Sequence, residues 1–221
     1  MKILFKVTSR SRPIKLLETL DNIISKCSID NYDIVLSLDE DDNTCNTLEF
    51  KNILSDKYPK VRVYYGLSKS KVDAINRDMD KTSEWDILVN VSDDQRFLVF
   101  GFDEMIRKGF KDHFPNLDGF IHYPDENARE ALATMSIMGK TYYDRFNYIY
   151  HPEYVSLWCD NEAMQVAKIL NKYVFINILI FDHFHPAYKK AERDDQYKYT
   201  ESFYHSDKEI YLKRKNINFE L

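Results

Sequence analysis

The order of apolar runs over roughly the first hundred residues constrains this chain most: strand, helix, strand, helix, strand, helix, strand. Ile3 to Val7 is a run of strand formers that leads into the polar turn Thr8-Ser9-Arg10-Ser11-Arg12-Pro13. Proline has its φ preset for a first helical position. Leu16, Leu17, Leu20, Ile23 and Ile24 then recur at helical spacing. Asp33 to Leu38 reads as a second strand, closing on the acidic turn Asp39-Glu40-Asp41-Asp42-Asn43. A helix capped at Thr44 and carrying Leu48, Ile53 and Leu54 precedes a third strand, Val61 to Tyr65. Ser70 to Asp80 reads as a helix, and Asp86 to Val91 as a fourth strand that runs into Ser92-Asp93-Asp94. Such alternation builds parallel βαβ units, so the chain is expected to be α/β. In such sheets ligands bind outside the carboxyl ends of the strands. The turns after the first, second and fourth strands all fall at that edge.

The remainder is less regular. Phe102 to Phe110 and Asp160 to Leu170 read as helices, the latter with Asp160 as candidate N-cap. Gly119 to His122 and Leu132 to Met138 read as strands, and Val174 to Phe184 as a strand pair or one long buried strand. Asp194 to Arg214 reads as one closing helix or two. With no repeat, low-complexity tract or Pro/Gly linker, residues 1–221 are expected to form one domain.

Composition excludes several function classes. The net charge is −5 and no basic stripe dominates, which argues against a nucleic-acid partner. Glycine is scarce, at 5 residues, so phosphate must be bound by something other than a Gly-rich loop. Cys27, Cys45 and Cys159 are odd in number and widely spaced, supporting neither a zinc knuckle nor a disulfide scaffold. A reducing cytoplasm is the simplest compartment for them. The apolar run near Met1 is too short for a signal peptide. Val174 to Phe181 falls far below membrane-spanning length, so no transmembrane segment is expected.

Three segments carry a family resemblance: Ile3-Leu4-Phe5-Lys6-Val7-Thr8-Ser9-Arg10, Lys71-Val72-Asp73-Ala74-Ile75-Asn76-Arg77 and Ile87-Leu88-Val89-Asn90-Val91-Ser92-Asp93-Asp94. In that order and spacing the chain resembles the family 2 glycosyltransferases. The middle segment looks like their K-x-x-A-x-N helix, and the last like an apolar strand running into D-x-D. The first acidic position of D-x-D is Ser92 here, which leaves Asp94 as the metal-binding position. The resemblance implies a glycosyltransferase A fold, with a mostly parallel central sheet flanked by helices. Residues to about 100 would bind the nucleotide-sugar and the rest would serve the acceptor. It implies a metal-dependent, inverting transfer of sugar to the hydroxyl of a saccharide or other acceptor. The donor would be a nucleotide-diphospho-sugar, a UDP-sugar favoured, and the cation Mn²⁺ or Mg²⁺.

Residue by residue, Asp93 and Asp94 end a buried strand, where carboxylate oxygens can hold a divalent cation that bridges to a diphosphate. Adjacent residues on extended chain point apart, so Asp93 is left for donor contacts. Asp39 and Asp41 follow the second strand, where the family contacts the nucleobase. A calcium loop is excluded there, because Thr44 stands in place of the turn glycine and Phe50 in place of the bidentate glutamate. Thr8, Ser9, Arg10 and Arg12 are donor-binding candidates, the arginines through phosphate. Lys71 and Asn76 carry the helix motif, with Lys71 nearer the expected cleft. Inverting transfer needs a base for the acceptor hydroxyl. Asp160 matches the family's carboxylate at a helix start, with Glu162 as runner-up, and Trp158 is placed to stack on a sugar ring. His183 and His185 share one strand face, as metal ligands would. Two rivals remain at this point. One is a nucleotidyltransferase of similar fold, disfavoured by the glycine-free turn at Thr8 to Pro13. The other is a catalytically inert sugar- or nucleotide-binding module.

Overall fold

The computed structural model describes residues 1–82 and 84–221. Its first half follows the apolar pattern closely: β1 (Ile3–Thr8), α1 (Pro13–Lys26), β2 (Tyr32–Asp39), α2 (Leu48–Lys57), β3 (Val61–Gly66), α3 (Lys71–Asn76) and β4 (Ile87–Ser92). There follow β5 (Gln95–Phe97), α4 (Phe102–His113), β6 (Phe120–His122), β7 (Ile137–Gly139) and α5 (Lys140–Tyr143). The chain closes with α6 (Cys159–Ile169), β8 (Tyr173–Phe175), β9 (Phe181–His183), α7 (Asp195–Glu201) and α8 (Tyr204–Asn216).

Seven strands form one sheet in the order β3-β2-β1-β4-β7-β6-β8. β1 pairs in parallel with both β2 and β4, and β2 with β3. β7 runs antiparallel to β4 and to β6, and β8 parallel to β6, so β7 is the one reversed strand of the sheet. Side chains alternate across β1. Ile3, Phe5 and Val7 enter one apolar core with α1 and α4, while Leu4 enters a second with α3 and α6. The two cores cover both faces, as a parallel sheet requires.

Local chemistry explains the departures from the expected boundaries. The cap of α2 is Thr47, whose hydroxyl accepts from Phe50 N at 3.1 Å, so the helix starts later than Thr44. Thr44 is instead held in the acidic turn by Asp42. α3 is capped by Ser70 and ends at Asn76, well short of Asp80, because Arg77 is extended and Asp78 has φ +67°. Of the strand expected from Leu132 to Met138 only the end pairs regularly, as β7 at Ile137–Gly139. Val174 to Phe184 divides into β8 and β9, which belong to different sheets. β9 pairs antiparallel with β5, a strand absent from the sequence reading, with Gln95 opposite His183. That ribbon stands just beyond the carboxyl end of β4, and so it matters to the site.

Candidate active site at the carboxyl edge of the sheet

β1, β2 and β4 all end at a cleft of about 520 Å³, within the size range of small-molecule sites. Thr8, Ser9, Arg10, Arg12, Asp39, Asp41, Lys71, Asp93, Asp94, Asp160, His183 and His185 all line it. Side chains spread across the sequence are thus gathered at the edge that the strand order singled out.

The two aspartates after β4 have different surroundings. Asp93 Oδ2 accepts from the Ser9 hydroxyl at 2.6 Å, and Oδ1 from Arg12 at 3.1 Å. Burial raises its pKa against the pull of Arg12, and the neighbouring charge of Asp94 adds to the rise. From beneath, the Thr19 hydroxyl on α1 and the Arg96 guanidinium both donate to Asp93 O, fixing the turn. Gln95 closes it further, accepting from Ser92 N and donating to Thr134 O.

Asp94 Oδ2 accepts from the Tyr197 hydroxyl at 2.8 Å, and Oδ1 lies 3.2 Å from His183 Nε2. Burial would raise the pKa of Asp94. Contact with His183, the charge of Lys71 and the Tyr197 hydroxyl outweigh it and hold the carboxylate well below its ordinary range. The β5–β9 ribbon delivers His183 to this position, and Phe184 N donates to Asp94 O at 2.8 Å to lock the register. His185 also lines the cleft, its ring edge-on to Tyr197 with centroids 4.8 Å apart. Burial, and then the neighbouring His183, lower its pKa.

On the β2 side, Arg10 bridges the acidic turn. It donates to Asp39 Oδ2 at 2.8 Å and forks onto Asp41 at 2.7 and 3.0 Å. Asp42 works within the turn, accepting from Ser11 N and from Thr44 and Cys45. Arg12 is held as firmly, forked onto Asp194 at 2.7 and 2.9 Å and stacked 3.9 Å above the Tyr197 ring. Both arginines, expected to meet phosphate, are therefore engaged by carboxylates of the chain itself. Lys71, exposed at the first position of α3, is a cation that projects into the cleft rim.

At the start of α6, Asp160 is the second helical residue, and its Oδ1 accepts from Asn161 N at 2.9 Å. It is not the N-cap: Trp158 occupies that position at φ +62°. Burial raises the pKa of Asp160, opposed by the Asn161 N–H and by Lys71.

Three expected site residues lie outside the cleft lining. Glu162 is buried behind α6, accepting from Tyr154 at 2.7 Å and from Arg214 Nε at 2.9 Å. Trp158 packs between Tyr204 and Tyr211 of α8 rather than facing a sugar. Asn76 ties α3 to the loop at Tyr150, donating to Tyr150 O and accepting from Ile149 N and Tyr150 N. Helical geometry is the reason for Glu162 and Asn76, since residues two apart on α6, or five apart across α3, face different directions, whereas Trp158 precedes α6 at φ +62° and is turned toward α8. Sequence reasoning in turn missed Tyr197. No motif surrounds it, and only its place on a helix folding back onto the cleft gives it a role.

Two donors, Asp94 Oδ1 and His183 Nε2, converge as a cation site requires, and both are hard or borderline ligands suited to Mn²⁺. Asp94 Oδ1 is buried and lacks a hydrogen bond of good geometry, which suits it to accept a cation. Among the described residues no group of three or more His, Cys, Asp or Glu side chains is disposed to hold a metal, so the protein alone offers a partial coordination set.

Comparison with solved structures shows which fold this is. The chain superposes on the mannosyltransferase PcManGT from Pyrobaculum calidifontis, solved with GDP-Man and Mn²⁺, at TM-score 0.61 and 12% identity, covering 80% of this chain and 55% of that one. It matches S. aureus TarS 1–349 at TM-score 0.63 and 13% identity, covering 83% of this chain and 60% of that one. The same enzyme in complex with UDP-GlcNAc matches at TM-score 0.62 and 14% identity, covering 82% and 58%. The chain thus spans between 55% and 60% of the length of these proteins. No family model matches the sequence, and no curated protein does. The fold is that of the glycosyltransferase A class, a mixed α/β architecture with a seven-stranded, mostly parallel sheet. No helix among the described residues is long and apolar enough to cross a membrane.

Proposed function

We propose that this protein is a metal-dependent glycosyltransferase that moves a sugar from a nucleotide-diphosphate donor to an acceptor hydroxyl with inversion. One observation carries the reading: the turns after β1, β2 and β4, the start of α6 and the β5–β9 ribbon all deliver polar side chains to a single cleft. The solved relatives bound to GDP-Man or UDP-GlcNAc support a nucleotide-sugar as the donor class.

In this reading the nucleoside lies against Thr8, Ser9 and Asp39, where the buried Asp39 Oδ1, 3.5 Å from the Arg77 guanidinium but without a hydrogen bond of good geometry, accepts from a base N–H. Lys71 faces the diphosphate. Asp94 and His183 would hold Mn²⁺ or Mg²⁺. When bound, that cation supplies charge neutralisation for the departing nucleoside diphosphate. Asp93, tied to Ser9 and Arg12, keeps the turn rigid and faces the donor sugar. Asp160 accepts the proton of the acceptor hydroxyl as its oxygen bonds to the anomeric carbon and the carbon–oxygen bond to the diphosphate breaks. A carboxylate with a raised pKa is the better base for this step.

A thermal-shift screen of nucleotide-sugars with and without Mn²⁺ tests the proposal. Selective binding to the folded protein raises the melting temperature. A Mn²⁺-dependent rise with one class of nucleotide-sugar is expected, and no rise with any of them would count against the reading.

A further inference from the structure

We infer that Tyr197, on helix α7, is a positioning residue that builds the cation site by fixing the Asp94 carboxylate. The inference rests on the assignment of Asp94 to the cation made above. Its basis is the division of the two carboxylate oxygens. Oδ2 accepts from the Tyr197 hydroxyl at 2.8 Å, whereas Oδ1 is left facing His183 Nε2 at 3.2 Å. A carboxylate on a short side chain can turn about its Cβ–Cγ bond, and a partial turn would carry its oxygen away from the imidazole. With Oδ2 held, Oδ1 stays next to the imidazole, and the two donors remain converged without a metal to organise them. Outer partners that orient metal ligands in this way commonly change affinity by about 10- to 100-fold when removed.

Tyr197 is itself held tightly enough for the task. It is 3% exposed, with the Arg12 guanidinium stacked 3.9 Å from its ring centroid and the His185 ring edge-on at 4.8 Å. Its helix is anchored at Asp194, which caps α7 by accepting from Tyr197 N at 3.0 Å. Asp194 also binds Arg12 at 2.7 Å and Lys15 at 3.0 Å. Arg12 in turn reaches Asp93. One guanidinium thus links the β1 turn, the β4 turn and α7. Helix α7 belongs to the site, which joins residues from widely separated parts of the chain.

Tyr197→Phe removes the hydroxyl and keeps the ring under Arg12. Mn²⁺ is titrated by electron paramagnetic resonance into wild type, Tyr197→Phe and Asp94→Ala, with UDP present and separately with GDP. The expected result is Mn²⁺ binding by wild type with at least one nucleotide, none by Asp94→Ala, and affinity weakened about 10- to 100-fold in Tyr197→Phe. Melting temperatures taken without metal accompany each titration. A hydroxyl that served only stability would lower the melting temperature and leave Mn²⁺ affinity unchanged. Unchanged affinity in Tyr197→Phe, with Asp94→Ala abolished, overturns the inference and leaves the cation assignment standing. Tighter binding in Tyr197→Phe also overturns it, since the hydroxyl would then block the site. Absence of Mn²⁺ binding in wild type, or its survival in Asp94→Ala, overturns the cation assignment and the inference with it.

Discussion

Glu162→Gln separates architecture from chemistry on α6. Glu162 and Arg214 are a buried pair, with side chains 4% and 3% exposed. The carboxylate accepts from Arg214 Nε with both oxygens, at 2.9 and 3.1 Å, and from the Tyr154 hydroxyl at 2.7 Å. Breaking one side of such a pair costs about 3–5 kcal/mol, because the remaining charge is stranded away from water. Glutamine keeps the shape and one carbonyl acceptor, and Glu220 still touches Arg214 at 3.0 Å. The lower end therefore applies, about 3 kcal/mol. For a chain of this length that corresponds to a melting temperature lower by about 6–12 °C. Urea and thermal denaturation measure the loss, with transfer rates taken well below the transition. Turnover per folded molecule should stay near wild type, since Glu162 does not line the cleft. A variant with unchanged stability and lost turnover would refute this reasoning and return Glu162 to the chemistry.

Asp160→Asn should show the opposite profile: turnover lower by roughly 10²- to 10⁴-fold with donor affinity retained, followed by single-turnover transfer and calorimetric donor binding. If neither changes, Asp160 serves only the helix start. Asp39→Asn should weaken nucleoside diphosphate binding by about 10- to 100-fold, as expected for loss of a charge-assisted hydrogen bond, without altering preference among sugars; equal affinities in calorimetry would remove Asp39 from the site. His122 gives a pH dependence. It is fully buried, its Nδ1 lies 2.8 Å from the Tyr173 hydroxyl, and burial lowers its pKa from 6.5 to about 4. The unfolded chain therefore binds this proton more readily, so the contribution is present above the unfolded value and is lost as pH falls from 6.5 towards 4. Up to about 3 kcal/mol is at stake. Urea denaturation of wild type and His122→Gln at about pH 7 and about pH 4.5 should show a smaller acid loss in the variant, and parallel losses would reject the assignment.

The legible part of the fold was the part governed by local pattern. Runs such as Ile3 to Val7 and Ile87 to Val91 are apolar because β1 and β4 are buried on both faces, and their burial fixed the sheet edge where the cleft lies. The turns after β1, β2 and β4 named Ser9, Asp39 and Asp94 for the same reason. What local pattern did not show depended on contacts made at long range. Asn76 continued a helix motif, yet its amide is taken by the Tyr150 loop. Trp158 stood next to a candidate base, yet α8 covers it. Arg10 and Arg12 read as phosphate ligands, and the sequence did not show that Asp41 and Asp194 also hold them. β5 spans only three residues, too few for periodicity to register, although its pairing with β9 sets His183 beside Asp94. Tyr197 was invisible because nothing local marks a tyrosine on a polar helix as the partner of a carboxylate in β4's turn.

Donor turnover in wild type and Asp94→Ala tests the central claim most directly. Each protein is given UDP- and GDP-sugars in turn, with Mn²⁺ and again with chelator, and nucleoside diphosphate release is followed. The account predicts release by wild type with one nucleotide class, abolished by chelator and by Asp94→Ala while the variant's fold is retained. Turnover in wild type that is indifferent to chelator, or turnover that survives in Asp94→Ala, would contradict it, as would a wild-type protein that neither binds nor turns over any nucleotide-sugar.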